Sequence, residues 1–104
     1  MLIETEIGNF ELIKNYKDAF NLKQFIDSYT SEVFDRYNYI VGDVSANILR
    51  LKGFSQNYKS DNSYKKIPDY INESCNYNCA FFVLRRIKEV KEWYYGNKQY
   101  SKRS

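Results

Sequence analysis

Five basic residues form the group whose types and spacing best suit a binding site. They occur in two short runs, Arg50 and Lys52 in the first, and Arg85, Arg86 and Lys88 in the second. Each run falls in a segment typical of a β-strand, so pairing of the two strands would gather the cations on one face or edge. Phosphate groups bind to surfaces of this kind.

Aromatic residues near these runs suit the same role. Phe54 follows the first run, Tyr77 precedes the second, and Tyr39 lies in a further predicted strand. Exposed aromatic rings stack on unpaired bases. The sequence therefore predicts a nucleic acid, RNA or a single strand, as the partner of a basic and aromatic face. The alternative is that these charges are simply solvated, or guard strand edges against pairing.

Cys75 and Cys79 are the two cysteines of the chain and stand four residues apart. A zinc site takes four Cys, His or carboxylate ligands, and the chain has no histidine, so we expect no metal and no cofactor. Thioredoxin-like redox motifs have the spacing Cys-x-x-Cys, which differs from the spacing here. We expect a pair of reduced, buried structural thiols, with a redox role as the open alternative.

The lack of histidine also removes the commonest general base near neutral pH. An enzyme would then depend on Asp43, Glu73, a cysteine or a lysine. Asp43 directly follows Gly42, as in a turn where the carboxylate bonds to its own backbone. We therefore expect no catalytic residue and a protein that is not an enzyme.

Length and composition are those of one small globular domain. The chain has 104 residues, 43% hydrophobic and 28% charged, which is near the globular average. The longest apolar run, residues 80–84, is too short to span a bilayer, and the N-terminus lacks the features of a signal peptide. We expect a cytoplasmic protein without a membrane partner, with a single domain over residues 1–96 and a flexible basic tail over residues 97–104.

Charge is divided unevenly along the chain. Residues 1–43 carry four basic and eight acidic side chains, whereas residues 44–104 carry twelve basic and five acidic ones. This asymmetry indicates an acidic or nucleic-acid partner for the second half. The alternative is that folding interleaves the two halves and mixes the charges.

Apolar periodicity predicts the first elements. Residues 2–7 and the residues after Asn9 alternate like the two strands of a hairpin linked at Gly8-Asn9. Asn21 is a typical helix N-cap with Gln24 three positions on. The helical spacing of apolar residues after Asn21 predicts one helix that runs to about Phe34.

After this helix, residues 37–43 and 48–54 are predicted to be strands, and residues 55–66 are predicted to be a mobile polar loop. Pro68 suits the first turn of a short helix. Cys79 to about Ile87 is predicted to be the most buried strand, because a continuous apolar run indicates cover on both sides. The helical spacing of Ile87, Val90 and Tyr94 predicts a further, C-terminal helix from Lys88. The order ββαββαβ predicts an α+β fold, with a mostly antiparallel sheet of about five strands and two helices packed on one face.

Several segments in this order resemble the YutD-like family of small bacterial proteins. They are residues 37–43 (YNYIVGD), 49–54 (LRLKGF) and 75–85 (CNYNCAFFVLR), and residues 15–20 (NYKDAF) are similar too. Asn78 stands where the family tends to have glycine, and residues 44–47 lack the glycine and aromatic residues common there. The resemblance implies a fold and a cytoplasmic bacterial setting. It carries over no catalytic residue, because the family has no established activity.

A protein-interaction module is the alternative function. Tyrosine and tryptophan are favoured at interfaces, and they are concentrated in residues 55–66 and at Trp93-Tyr94-Tyr95. The same aromatic residues also suit a simpler role in closing a small core from outside. The sequence does not predict the oligomeric state.

Overall fold

The computed structural model describes residues 1–74 and 79–87 of the chain. Five strands form one antiparallel sheet: β1 (Leu2–Thr5), β2 (Gly8–Tyr16), β3 (Tyr39–Ser45), β4 (Ile48–Phe54) and β5 (Ala80–Ile87). The helices are α1 (Leu22–Ser28), α2 (Ser31–Phe34), α3 (Ile67–Ser74) and a 3-10 helix (Tyr64–Lys66). The predicted α+β class and antiparallel sheet are confirmed.

β5 is the central strand, because the strands lie in the order β1-β2-β5-β3-β4. Its side chains alternate between two separate cores. Phe82 and Leu84 belong to the core under α1 and α2, and Val83 belongs to the core under α3. The prediction that this apolar run is covered on both sides is confirmed.

The helices do not share one face of the sheet, so that part of the prediction was wrong. Phe25 of α1 packs edge-on against Phe82, with ring centroids 6.3 Å apart. Ile67 and Ile71 of α3 pack against Val83 on the opposite face. The apolar pattern of α3 shows that this helix has a buried side, but it does not specify which face of the sheet receives it.

The single helix predicted after Asn21 is divided in two. Asn21 does cap α1, since its Oδ1 accepts a hydrogen bond from the Gln24 backbone N–H at 2.9 Å. Tyr29 and Thr30 then take extended backbone angles and separate α1 from α2. The apolar spacing continues across this break, so the sequence alone did not reveal it.

Gly42 and Asp43 lie inside β3, although Gly42-Asp43 was predicted to close the strand in a turn. The turn instead falls at Ala46 and Asn47, whose φ values of 53° and 65° are those of a two-residue hairpin link. Gly42 is required for packing, because a Cβ there would lie 2.2 Å from the Phe82 ring. The first hairpin is also confirmed, but it turns at residues 6 and 7 and not at Gly8-Asn9.

The polar segment after β4 is closed at its base by backbone hydrogen bonds. Ser55 N–H donates to Asn62 O at 2.6 Å, and Tyr64 N–H donates to Ser55 O at 2.8 Å. Among residues 1–74 and 79–87, no helix has the length and apolar character needed to span a membrane. The predicted C-terminal helix and the tail at residues 97–104 lie outside the described residues, so the domain boundary at residue 96 stays a prediction.

Candidate functional site

Three of the predicted basic residues lie on one face of the sheet, the face that α3 covers. Arg50 and Lys52 are on β4, and Arg85 is on β5. Arg50 pairs with Asp43, and Asp43 pairs with Phe81, so Arg50 shares a face with Phe81 and Arg85. Strand spacing and residue rise put the Cα atoms of Arg50 and Arg85 about 16 Å apart.

Arg50 is bound to a buried carboxylate. Its Nε and Nη2 donate to Oδ2 of Asp43 at 3.1 and 2.6 Å, and the Asp43 side chain is 1% exposed. The hydrogen bonds and negative charge of Asp43 raise the pKa of Arg50 above its ordinary value. The hydroxyl of Tyr70 on α3 donates to the other oxygen, Oδ1, at 3.0 Å. Asp43 therefore joins β3, β4 and α3.

Arg85 is paired with an acidic residue on the neighbouring strand. It lies opposite Glu11 of β2, and its Nη2 donates to Oε1 of Glu11. Both side chains are partly exposed. A phosphate that approached Arg85 would also meet the negative charge of Glu11.

Arg86 faces away from the other cations, which corrects its predicted place in a single basic face. Successive strand residues point to opposite faces, so Arg86 points towards α1 and α2. Its Nη2 donates to Tyr29 Oη at 2.7 Å and to Phe34 O at 3.0 Å, and its Nε donates to Tyr37 O at 3.0 Å. The guanidinium also lies over the Phe10 ring, 4.9 Å from its centroid. Arg86 thus holds the α1–α2 segment against the sheet.

The stacking role predicted for Phe54 conflicts with its position. The Phe54 side chain is 2% exposed and packs edge-on against Tyr70, with centroids 5.7 Å apart. It is buried because α3 covers this end of β4. Tyr77 and Lys88 lie outside the described residues, so their predicted contacts stay predictions.

Lys52 borders a cleft of mixed charge between β4, the polar loop and α3. The cleft has a volume of about 300 Å³, and its charged lining residues are Lys52, Asp61, Lys66, Asp69 and Glu73. Three carboxylates and two ammonium groups therefore share this opening. Such a lining attracts neither polyanions nor polycations strongly.

Cys79 lies immediately before β5 and is disulfide-bonded. This differs from the prediction of two reduced thiols, which was inferred from the expected compartment and not from geometry. Cys75 is the only other cysteine in the sequence and lies outside the described residues. Over residues 1–74 and 79–87, no three potential metal ligands of the His, Cys, Asp or Glu type come together.

The Tyr-rich loop predicted as an interaction surface is only partly exposed. Tyr58 is well exposed, and the Nζ atom of Lys65 lies 3.6 Å from the centroid of its ring. Tyr64 stacks on Tyr39 with ring centroids 5.5 Å apart. Trp93, Tyr94 and Tyr95 lie outside the described residues. The loop therefore offers one well-exposed ring, Tyr58, and a second, Tyr64, that is 37% exposed and stacked on Tyr39, which together form a small surface for a partner.

A second opening on the α3 face is mainly apolar, and we call it the β2–α3 groove. It has a volume of about 370 Å³ and is lined by Ile13, Lys14, Ile67, Pro68, Ile71, Asn72, Phe81 and Val83. The sequence analysis did not predict this groove, because the groove depends on a bulge in β2 and on which face of the sheet α3 covers. The only sequence signal was the apolar side of α3 itself.

Comparison with known proteins gives matches over most of the chain. Residues 4–85 match the family model described as "Putative antitoxin YutD-like". The chain is 42% identical over 92 residues to a protein of Bacillus subtilis (strain 168) named "Putative antitoxin YutD". This match covers 85% of the chain and 100% of that relative.

The fold also matches a solved structure. The solution NMR structure of the YutD protein from B. subtilis superposes on this chain with a TM-score of 0.71 and 39% sequence identity. The match covers 89% of this chain and 87% of the other. The overall fold is therefore shared with that relative.

Proposed function

The chain belongs to the YutD-like family, and from that premise we propose that it acts as an antitoxin that binds another protein. The proposal combines two supports. The family model and the B. subtilis relative both carry the words "Putative antitoxin" in their descriptions. The geometry of the described residues favours a protein over a nucleic acid as the partner.

One observation carries the choice of partner: all three described arginines of the predicted basic face make contacts within the chain. Arg50 is bound to Asp43 and Arg85 to Glu11, and Arg86 bonds backbone carbonyls on the opposite face. Phosphate binding depends on cations that release counterions as phosphates replace them. A cation that already has a carboxylate partner contributes less, because that carboxylate repels the phosphate.

The first experiment separates the two classes of partner. Fluorescein-labelled oligo(U) RNA and oligo(dT) DNA are titrated with the full chain at about 50 mM salt, where phosphate contacts are strong. We expect no saturable rise in fluorescence anisotropy. Saturable binding that falls steeply between about 50 and 200 mM salt would overturn the proposed protein partner and restore the basic-face hypothesis.

The second experiment tests the antitoxin role in cells. A genomic library from the source organism is expressed from an inducible promoter, and clones that stop growth are collected. Each clone is then tested with co-expression of this chain. We expect at least one growth-stopping clone to be rescued, and its product to bind the purified chain directly. If no clone is rescued in a library that covers the genome several times, the antitoxin role is wrong.

A further inference from the structure

We infer that the β2–α3 groove is the docking site for an apolar segment of the partner protein that also carries acidic residues. This inference rests on the proposed function, since it names the surface through which the partner would be bound. It differs from the sequence prediction, which placed protein contacts in the Tyr-rich loop and near Trp93.

The β2 side of the groove is created by a bulge. Leu12 pairs with Leu84 and Lys14 pairs with Val83, so Ile13 is the extra residue between them. The bulge leaves Ile13 without a partner residue on β5, and its side chain is 52% exposed. A β-branched apolar side chain at this position gains free energy only when another surface covers it.

The other wall and the floor of the groove are also apolar. Ile67, Pro68 and Ile71 on α3 form the wall, and Phe81 and Val83 on β5 form the floor. Tyr16 extends the floor, because its partly exposed ring stacks on Phe81 with centroids 5.3 Å apart. Concave apolar surfaces bordered by aromatic rings are typical of the centres of protein interfaces.

Charge specifies the kind of segment that fits. Among the described residues that line the groove, Lys14 is the one that is charged, and none carries a carboxylate. Lys17 adds a second cation near the rim, with Nζ 5.7 Å from the centroid of the Tyr16 ring. An incoming segment with glutamate or aspartate beside its apolar residues would therefore be complementary to this rim.

The wall formed by α3 is fixed in advance. Tyr70 of α3 donates a hydrogen bond to buried Asp43, and Phe54 packs against the Tyr70 ring. A preorganised wall lowers the entropy cost of binding. The volume of about 370 Å³ lies near the lower end of the range for binding pockets, so it suits a few anchor side chains of a partner.

A synthetic peptide pair tests the chemistry of the groove. Both peptides are amphipathic with the same leucine face, and the opposite face carries glutamate in one peptide and lysine in the other. We expect the glutamate peptide to bind the full chain more tightly and to shift the NMR signals of Ile13, Ile71 and Phe81. Shifts confined to another surface, or tighter binding of the lysine peptide, would overturn the inference.

Two matched pairs of variants locate the contact. Ile13→Ser should weaken binding of the glutamate peptide at least about fivefold, the loss expected for an interface anchor. Ile48→Ser should leave it unchanged, because Ile48 is similarly exposed, at 63%, but lies on edge strand β4. Lys14→Glu should reverse the preference, so that the lysine peptide binds more tightly than the glutamate peptide. Lys59→Glu, on the polar loop, should leave the preference for the glutamate peptide unchanged. Equal effects within either pair would contradict the inference.

Growth rescue separates this inference from the proposed function. If the wild-type chain rescues growth and Ile13→Ser does not, the antitoxin role and the docking site in the groove are both supported. This conclusion requires that Ile13→Ser unfolds at the same urea concentration as Ile48→Ser. If Ile13→Ser rescues as well as wild type, the antitoxin role stands and the groove is wrong. If the purified chain is a dimer that Ile13→Ser dissociates, a second copy occupies the groove and the inference fails.

Discussion

The hydroxyl of Tyr70 on α3 donates a hydrogen bond of 3.0 Å to Oδ1 of Asp43 on β3. The other oxygen of the same carboxylate accepts two hydrogen bonds from Arg50. One buried acidic residue therefore fixes the position of α3 and neutralises a cation that the sequence assigned to nucleic-acid binding. Asp43 therefore both holds the α3 wall of the β2–α3 groove in place and makes Arg50 less available to phosphate.

Replacement of Asp43 by asparagine should destabilise the fold. Asparagine presents one oxygen and one NH₂ group, so Arg50 and Tyr70 cannot both keep an acceptor. We expect Asp43→Asn to lower the free energy of unfolding by about 1–3 kcal/mol, measured by urea denaturation. Asp27→Asn is the control, because Asp27 pairs with Lys23 on the surface and such pairs contribute less than about 1 kcal/mol. Equal losses in the two variants would contradict the role of Asp43.

Tyr70→Phe isolates the bond between the helix and the sheet. It removes the hydroxyl but keeps the ring against Phe54, so we expect a loss of stability of about 1 kcal/mol. We also expect faster amide hydrogen exchange in α3 than in the wild-type chain. Tyr64→Phe is the matched control, since it removes a more exposed hydroxyl in the neighbouring 3-10 helix. Unchanged exchange in α3 would show that this bond does not hold the helix.

Arg85 and Arg86 are adjacent in sequence but differ in role, and the same substitution should reveal this. Arg86→Lys cannot reproduce this arrangement, because all lysine donors lie on one nitrogen, whereas Arg86 donates from both Nε and Nη2. We expect it to lower stability by about 1–3 kcal/mol. Arg85→Lys keeps a charge beside Glu11 on the surface and should cost less than about 1 kcal/mol. A larger loss at Arg85 in urea denaturation would contradict the assignment.

Gly42→Ala tests the close packing of the central strands. The new Cβ would overlap the Phe82 ring, which lies 2.2 Å from its position. We expect a loss of about 1–3 kcal/mol, typical of an overpacked core. Ser45→Ala, at the exposed end of the same strand, should change stability by no more than about 0.5 kcal/mol. A thermal melt unchanged by Gly42→Ala would show that the ring moves aside freely.

Local sequence signals predicted the elements that depend on local chemistry. The Asn21 cap and the apolar run of β5 both appeared in the structure as expected. The α1–α2 break was missed because the apolar spacing continues through Tyr29. The bonds from Arg86 to Phe34 O and Tyr37 O accompany that break, and they join residues about fifty positions apart.

The features of the candidate site depend on contacts between distant segments. Gly42-Asp43 has the composition of a turn, although both residues lie inside a strand. Gly42 is there because the Phe82 ring leaves no room for a Cβ, and Asp43 is there because it accepts a hydrogen bond from the Tyr70 hydroxyl. The basic face was predicted from cations alone, without the carboxylates of Asp43 and Glu11 that register brings beside them. The bulge at Ile13 has no marker in the sequence, so the groove was not predicted.

The most direct test compares two variants for affinity towards the toxin that the growth screen identifies. Isothermal titration calorimetry with the purified full chain measures the affinity of two variants for that toxin: Ile13→Ser, in the groove, and Lys52→Gln, on the predicted basic face. We predict that Ile13→Ser weakens binding at least about fivefold, whereas Lys52→Gln changes the affinity less than about twofold. The opposite result, with binding lost in Lys52→Gln and retained in Ile13→Ser, would contradict the account.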